Sequence, residues 1–258
     1  MECSDREREE TRATHTAGRA GERPGGIAPA DGEGRAGRRT WFPPEPEHVL
    51  DLAARPGARL VQNGDQLLTV LVESLERLEK EKLQGETPMA PALWNQAGKS
   101  YTPKGEDWFT DYVKQHLGED LRGHGLVLNR EVVIRAGEGE GRGERTDLRV
   151  DALLISESEA PESVTVIVEA KGCWNDELDT AMEEQLAHRY LADNASCRHG
   201  LYLVGWFNCG QWDKDDWRWR QAPRYGLDAA RERFAEQARV LSEGGPRIRA
   251  VVVNAALR

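Results

Sequence analysis

Glu169-Ala170-Lys171 closes the apolar run Val164-Thr165-Val166-Ile167-Val168. A short run of this kind, rich in β-branched side chains, reads as a buried strand. Side chains alternate across a strand, so Glu169 and Lys171 project from one face, about 6 to 7 Å apart along the chain. A carboxylate and an ammonium then share one pocket. The pattern is singular: two residues before Lys80, Lys82, Lys99, Lys104, Lys114 and Lys214 no acid occurs.

Two further acids precede this strand in Glu144-Arg145-Thr146-Asp147-Leu148-Arg149-Val150-Asp151. Asp147 and Asp151 stand four residues apart and face the same side of a strand. The short connection 156–163 folds that strand back, which brings at least one of the two aspartates toward Glu169. Two carboxylates with a strand carbonyl make a hard, all-oxygen site that suits Mg²⁺ or Mn²⁺ rather than zinc. An ion held there lowers the pKa of a bound water and neutralises charge developing on a phosphate, which is what phosphodiester hydrolysis needs. Lys171 would orient the water or stabilise the oxyanion, worth roughly 10² to 10³ in rate.

The elements that must position these groups follow from pattern. Leu68, Leu71, Leu75 and Leu78 mark an amphipathic helix over 63–83, capped by Asn63 or Asp65, that packs on the main domain. A second helix over 103–117 carries Glu106 and Asp107 in its first turn, where the macrodipole favours acids. Strands are expected over 126–134, 148–155 and 164–171, with a Gly-rich loop at 136–143 between the first two. A helix then starts at Asn175 or Asp176 and runs to about 191, with Leu178, Met182, Gln185 and Leu186 on one side. A strand over 201–207, a helix over 227–241 and a strand over 248–253 complete the chain. Three strands in a meander followed by a helical connection imply a mixed sheet with helices on its faces, an α/β arrangement.

This αβββαβ order, with an Asp early in the second strand and Glu169-Ala170-Lys171 ending the third, resembles the PD-(D/E)xK restriction-endonuclease-like superfamily. Leu128-Asn129-Arg130-Glu131, Arg145-Thr146-Asp147, Glu169-Ala170-Lys171-Gly172-Cys173-Trp174 and Gln185-Leu186 together resemble a nuclease-like module near the C-termini of bacterial proteins, some of them implicated in anti-phage defence. The resemblance covers about 103–207. It implies a metal-dependent nuclease of DNA acting as a defence effector, with Mg²⁺ as cofactor and Mn²⁺ as its substitute, and with nucleic acid, a homodimer or a partner defence protein as partners. Asp147 would be the first metal ligand, Glu169 the second and Lys171 the catalytic lysine. Glu106 would be the helix acid that many members add, and Gln185 a glutamine that several subfamilies use. A subfamily with a tyrosine four residues after that glutamine would need it at Arg189, whereas the tyrosine here is Tyr190. Thr146 stands where the family's proline precedes the aspartate. Asp151 competes with Asp147 as ligand, because a hairpin folded symmetrically about its loop sets it nearer Glu169; Asp147 is preferred.

Other readings stay open beside this one: a nuclease-fold module that binds nucleic acid or protein without cutting, and an RNA-directed nuclease of the same fold. Glu131 is read as a strand-edge charge and Gln185 equally as a buried, hydrogen-bonded amide. Trp212, Trp217, Arg218, Trp219 and Arg220 mix aromatic and basic residues as base-stacking segments do, although a loop that packs its tryptophans on the domain is preferred.

Composition sets the outer limits. Residues 1–40 offer almost no aliphatic side chain beyond alanine and read as a disordered tail, 41–102 as a helical extension, and 103–258 as the main domain. No signal peptide or membrane span is visible, so a cytoplasmic protein is expected. Cys3, Cys173, Cys197 and Cys209 lack metal or disulfide spacing and read as free thiols. The net charge of -10 runs against the basic footprint of a nucleic-acid enzyme, but local basic patches act within a Debye length of about 10 Å.

Overall fold

Leu67, Leu68, Leu71, Leu75 and Leu78 are all fully buried, and their spacing winds Gly64–Arg77 into helix α1 with one face sealed. Asn63 caps it by accepting the Gln66 amide hydrogen at 2.9 Å. The helix runs on through Leu78–Leu83 with wider i→i+5 winding. The computed structural model describes residues 61–135, 144–154, 162–192, 194 and 197–258. The expected tail over 1–40, the start of the extension and the Gly-rich loop over 136–143 lie outside the described residues.

Beyond Leu83 the described part of the expected helical extension keeps only a short 3-10 turn, Ala90–Leu93, and then turns to strand. Trp94–Ala97 (β1) and Ser100–Pro103 (β2) form a hairpin with Ala97 paired to Ser100. Gly98 starts its two-residue turn at φ 62°, the left-handed region that favours glycine. Trp94 enters the core, and its indole N–H donates to the Ala255 carbonyl at 2.8 Å. Residues 61–102 therefore belong to the same core as the rest of the described chain.

Helix α2 (Glu106–Asp120) leads into a five-stranded sheet of order β3-β4-β5-β6-β7. Its strands are β3 (Leu126–Arg135), β4 (Glu144–Leu153), β5 (Ser163–Gly172), β6 (His199–Trp206) and β7 (Arg247–Asn254). The first three are antiparallel, whereas β5, β6 and β7 run parallel. Helix α3 (Met182–Leu191) makes the crossover from β5 to β6; α4 (Trp217–Gln221) and α5 (Leu227–Leu241) lie between β6 and β7. The expected α/β class and the helix-strand-strand-strand-helix-strand order are both present.

Alternation along β6 separates two helical layers. A Cβ on Gly205 would meet Phe109 of α2, and α1 brings Gly64 against the His199 ring. From the other face, a Cβ on Gly200 would meet Leu186 and Leu191 of α3, and Tyr202 packs on Phe234 of α5. Glu169 and Lys171 stand in register with Tyr202 and Val204, so they share the face covered by α3 and α5.

On the opposite layer, α1 is tied to α2 by a polar cluster. Asp120 takes the Ser74 hydroxyl and an Arg77 guanidinium N–H, each at 2.6 Å, while His116 Nε2 lies 2.9 Å from the Ser74 carbonyl. The Ser74 proton goes to the carboxylate and not to the imidazole, and the hydroxyl is sealed from solvent. This Ser, His and Asp set is a helix tie, not a nucleophile.

Candidate active site

Strand β5 is buried from Thr165 to Gly172 because β4, β6 and helices enclose it. Its pairing with β4 stops at Leu148 opposite Val168, yet β5 continues beside β6 to Gly172. The two strands part there in a fork, while β6 flanks the opposite edge of β5 from Val166 onward. Side chains of β4 take over the open ladder: the Thr146 hydroxyl donates to the Val168 carbonyl at 3.1 Å, and Asp147 Oδ2 accepts the Ala170 amide at 2.8 Å.

One further step of the register sets Asp147 across from Glu169, on the same face. Lys171 Nζ lies 2.8 Å from Glu169 Oε1, and the two side chains are only 10% and 3% exposed. Lys171 also donates to Gln185 Oε1 at 3.1 Å, and the Gln185 amide passes on to Glu177 Oε2 at 2.6 Å. From the first turn of α2, Glu106 Oε1 accepts from the Gly172 amide and from Asn175, both at 2.8 Å.

Asp147, Glu169, Lys171, Gln185 and Glu106 thus converge at the end of β5. Asp151 does not. It stands opposite Thr165, roughly 13 Å down the face from Glu169. There it accepts from the Thr165 hydroxyl at 2.6 Å and pairs with Arg149 at 2.9 Å. The expectation that a symmetric hairpin sets Asp151 nearer Glu169 fails because the hairpin closes with Leu153 opposite Ser163, which puts Asp151 across from Thr165 and not from Val168.

The electrostatics are those of acids crowded around one cation. Burial and then the Asp147 charge push the Glu169 carboxyl up to about 7, against the pull of Lys171. Burial likewise raises Asp147, opposed by the Ala170 amide and Lys171, and raises Glu106, opposed by the Gly172 amide and Asn175. Burial works against the Lys171 ammonium, but Glu169, Asp147 and Glu106 outweigh it and its pKa is raised. One ammonium faces three carboxylates, a crowding that a proton on Glu169 or a further cation would relieve. The carboxylates that could hold a cation are Asp147 and Glu169, which the register sets opposite each other. Mg²⁺ commonly takes one or two carboxylates and keeps several waters, so this pair fits.

Two contributors were not legible beforehand. Helix α3 has i→i+5 winding, so five residues advance around its axis about as four do in an α-helix. Tyr190 therefore falls on the Gln185 side, and burial followed by the charges of Glu169 and Asp147 raises its phenol. Asn175, which holds Glu106, lies in the turn before α3, where the sequence marks it as no more than a candidate helix cap.

The tryptophan-rich segment divides. Trp212 is buried against Trp94, Trp174 and Trp219, and of the three tryptophans in this segment Trp217 is the exposed one. Cys173, Cys197 and Cys209 are free thiols, as expected. No described helix is long and apolar enough to cross a membrane. No protein-family model matches this chain, and neither a curated protein nor a solved structure matches it.

Proposed function

We propose that this chain is a metal-dependent nuclease of restriction-endonuclease-like fold that hydrolyses phosphodiester bonds in DNA. The observation that carries the reading is the buried Glu169–Lys171 pair, set beside Asp147 where β4 leaves β5. Asp147 and Glu169 would hold Mg²⁺ or Mn²⁺, which when bound lowers the pKa of a water and offsets charge on the phosphate. Lys171 directs two of its three ammonium hydrogens to Glu169 and Gln185; the third would meet a water or phosphate oxygen. Gln185 and Glu177 hold that ammonium in place, and Glu106 fixes the backbone at Gly172. The choice of DNA, and a role as an effector of anti-phage defence, rest on the motif resemblance around Glu169-Ala170-Lys171 and Gln185.

Purified protein with Mg²⁺ or Mn²⁺ should degrade plasmid and linear DNA, and EDTA or Lys171→Ala should abolish the cutting. Wild type and Lys171→Ala equally inert on DNA and RNA with both metals would overturn the reading.

A second reading, a module of the same fold that binds without cutting, has one observation in its favour. Among the described residues, no three His, Cys, Asp or Glu side chains are grouped closely enough to hold a metal by themselves. Uptake of Mn²⁺ that is lost in Glu169→Gln favours the nuclease; no uptake favours the binding module.

A further inference from the structure

Among the described tryptophans, Trp94, Trp174, Trp206 and Trp212 are buried and Trp219 packs on the core. Trp108 and Trp217 are instead 52% and 61% exposed. Both attach to one short stretch of backbone. Trp108 lies on the first turn of α2, two residues after Glu106. Trp217 opens α4, and its neighbour Arg218 donates to the Pro103 carbonyl and lies 5.9 Å from the Trp217 ring. Residues 103–106 therefore join both exposed indoles to the carboxylate that reaches the candidate active site.

Each indole has a cation beside it. Lys104 Nζ sits 4.0 Å over the Trp108 ring. Arg220 is exposed three residues after Trp217, on the same side of α4. Neither cation has a carboxylate within ion-pair distance among the described residues. Most acids nearby are already engaged: Asp107 and Asp111 pair with Arg130, Asp216 with Arg218, and Asp213 with the Ser100 hydroxyl. Among the described acids of 106–111 and 213–216, Asp215 has a side chain without such a partner. An acidic protein thus leaves two half-exposed indoles with uncommitted cations on the segments that the Arg218–Pro103 bond ties together.

We propose that Trp108 and Trp217, with Lys104 and Arg220, form a stacking platform that receives a single-stranded segment of DNA beside the candidate active site. Indole faces accept bases only where those bases are unstacked, and flanking cations match the phosphates between them. A duplex hides its base faces and offers phosphates alone. The proposal rests on the nuclease reading for its placement, and its test does not require cutting.

The test uses the full chain in EDTA with a fluorescein-labelled single-stranded DNA oligonucleotide, followed by anisotropy at fixed salt. Trp108→Ala and Trp217→Ala should each weaken binding about tenfold, whereas Trp→Phe at either position should retain most of it. A blunt duplex of the same sequence should compete poorly. No binding by the wild type, wild-type affinity in both alanine variants, or equal competition by the duplex would overturn the platform. If the wild type binds in this pattern but cuts no DNA with Mg²⁺ or Mn²⁺, the platform stands and the nuclease reading fails.

Discussion

Asp147 Oδ2 accepts the Ala170 amide hydrogen at 2.8 Å, so a side chain of β4 completes the ladder where the β4 backbone no longer does. This bond fixes the aspartate at the mouth of the fork and aims it along the face that carries Glu169. It also keeps the strand end satisfied although the two backbones have separated. The residue proposed to hold the metal thus also satisfies the backbone of β5.

The relay Lys171–Gln185–Glu177 predicts a positioning effect. Gln185→Ala removes the amide that takes one ammonium hydrogen of Lys171 and anchors it to Glu177. Cleavage should fall about 10- to 100-fold with unchanged thermal unfolding, the range usual for residues that orient a metal site from behind. Initial rates on a linear DNA substrate and a melting curve check both halves.

Glu169, pushed up to about 7, predicts proton release on metal binding. At pH 6.5 the carboxyl is largely protonated and must lose that proton to bind Mn²⁺, whereas at pH 8.5 it is already ionised. Calorimetric titrations in buffers of different ionisation enthalpy should show more protons released at pH 6.5, and affinity rising with pH. The same shift acts on stability without metal. Between the ordinary value of 4.5 and about 7, the folded chain holds a proton that the unfolded chain has lost, so the contribution to stability falls as pH rises through that window.

Gly172 predicts a steric limit. A Cβ there would lie 2.6 Å from the Trp174 ring, which packs on Phe207 and Trp212, while the Gly172 amide holds Glu106. Gly172→Ala should destabilise the chain by about 1 to 3 kcal/mol in denaturant unfolding. It should also lower cleavage, because the Trp174 shift is transmitted to the Glu106 contact.

The legible parts of this fold are those where burial writes a period into the sequence. Strand β5 announces itself by its β-branched run, α5 (Leu227–Leu241) by its amphipathic repeat, and α1 by Asn63 and its leucines. The β1–β2 hairpin was not legible, since four-residue strands with one buried face position in β1 carry too little pattern. Nor was the i→i+5 winding of α3, which brings Tyr190 to the Gln185 side. Within the site, Glu169 and Lys171 were readable from strand alternation. The choice between Asp147 and Asp151 needed the register, because both share one face and only the point where β4 leaves β5 separates them.

That choice is the most direct test of the account. Initial rates of plasmid cleavage with Mg²⁺ should be compared for wild type, Asp147→Asn and Asp151→Asn, each shown to be folded by its melting curve. Asparagine can still accept the Ala170 amide but contributes no charge, so Asp147→Asn should lose about 10²-fold or more in rate. Asp151→Asn should stay within about threefold of wild type, since Asp151 serves only Arg149 and Thr165. Loss of cleavage in Asp151→Asn with wild-type rates in Asp147→Asn would contradict the account.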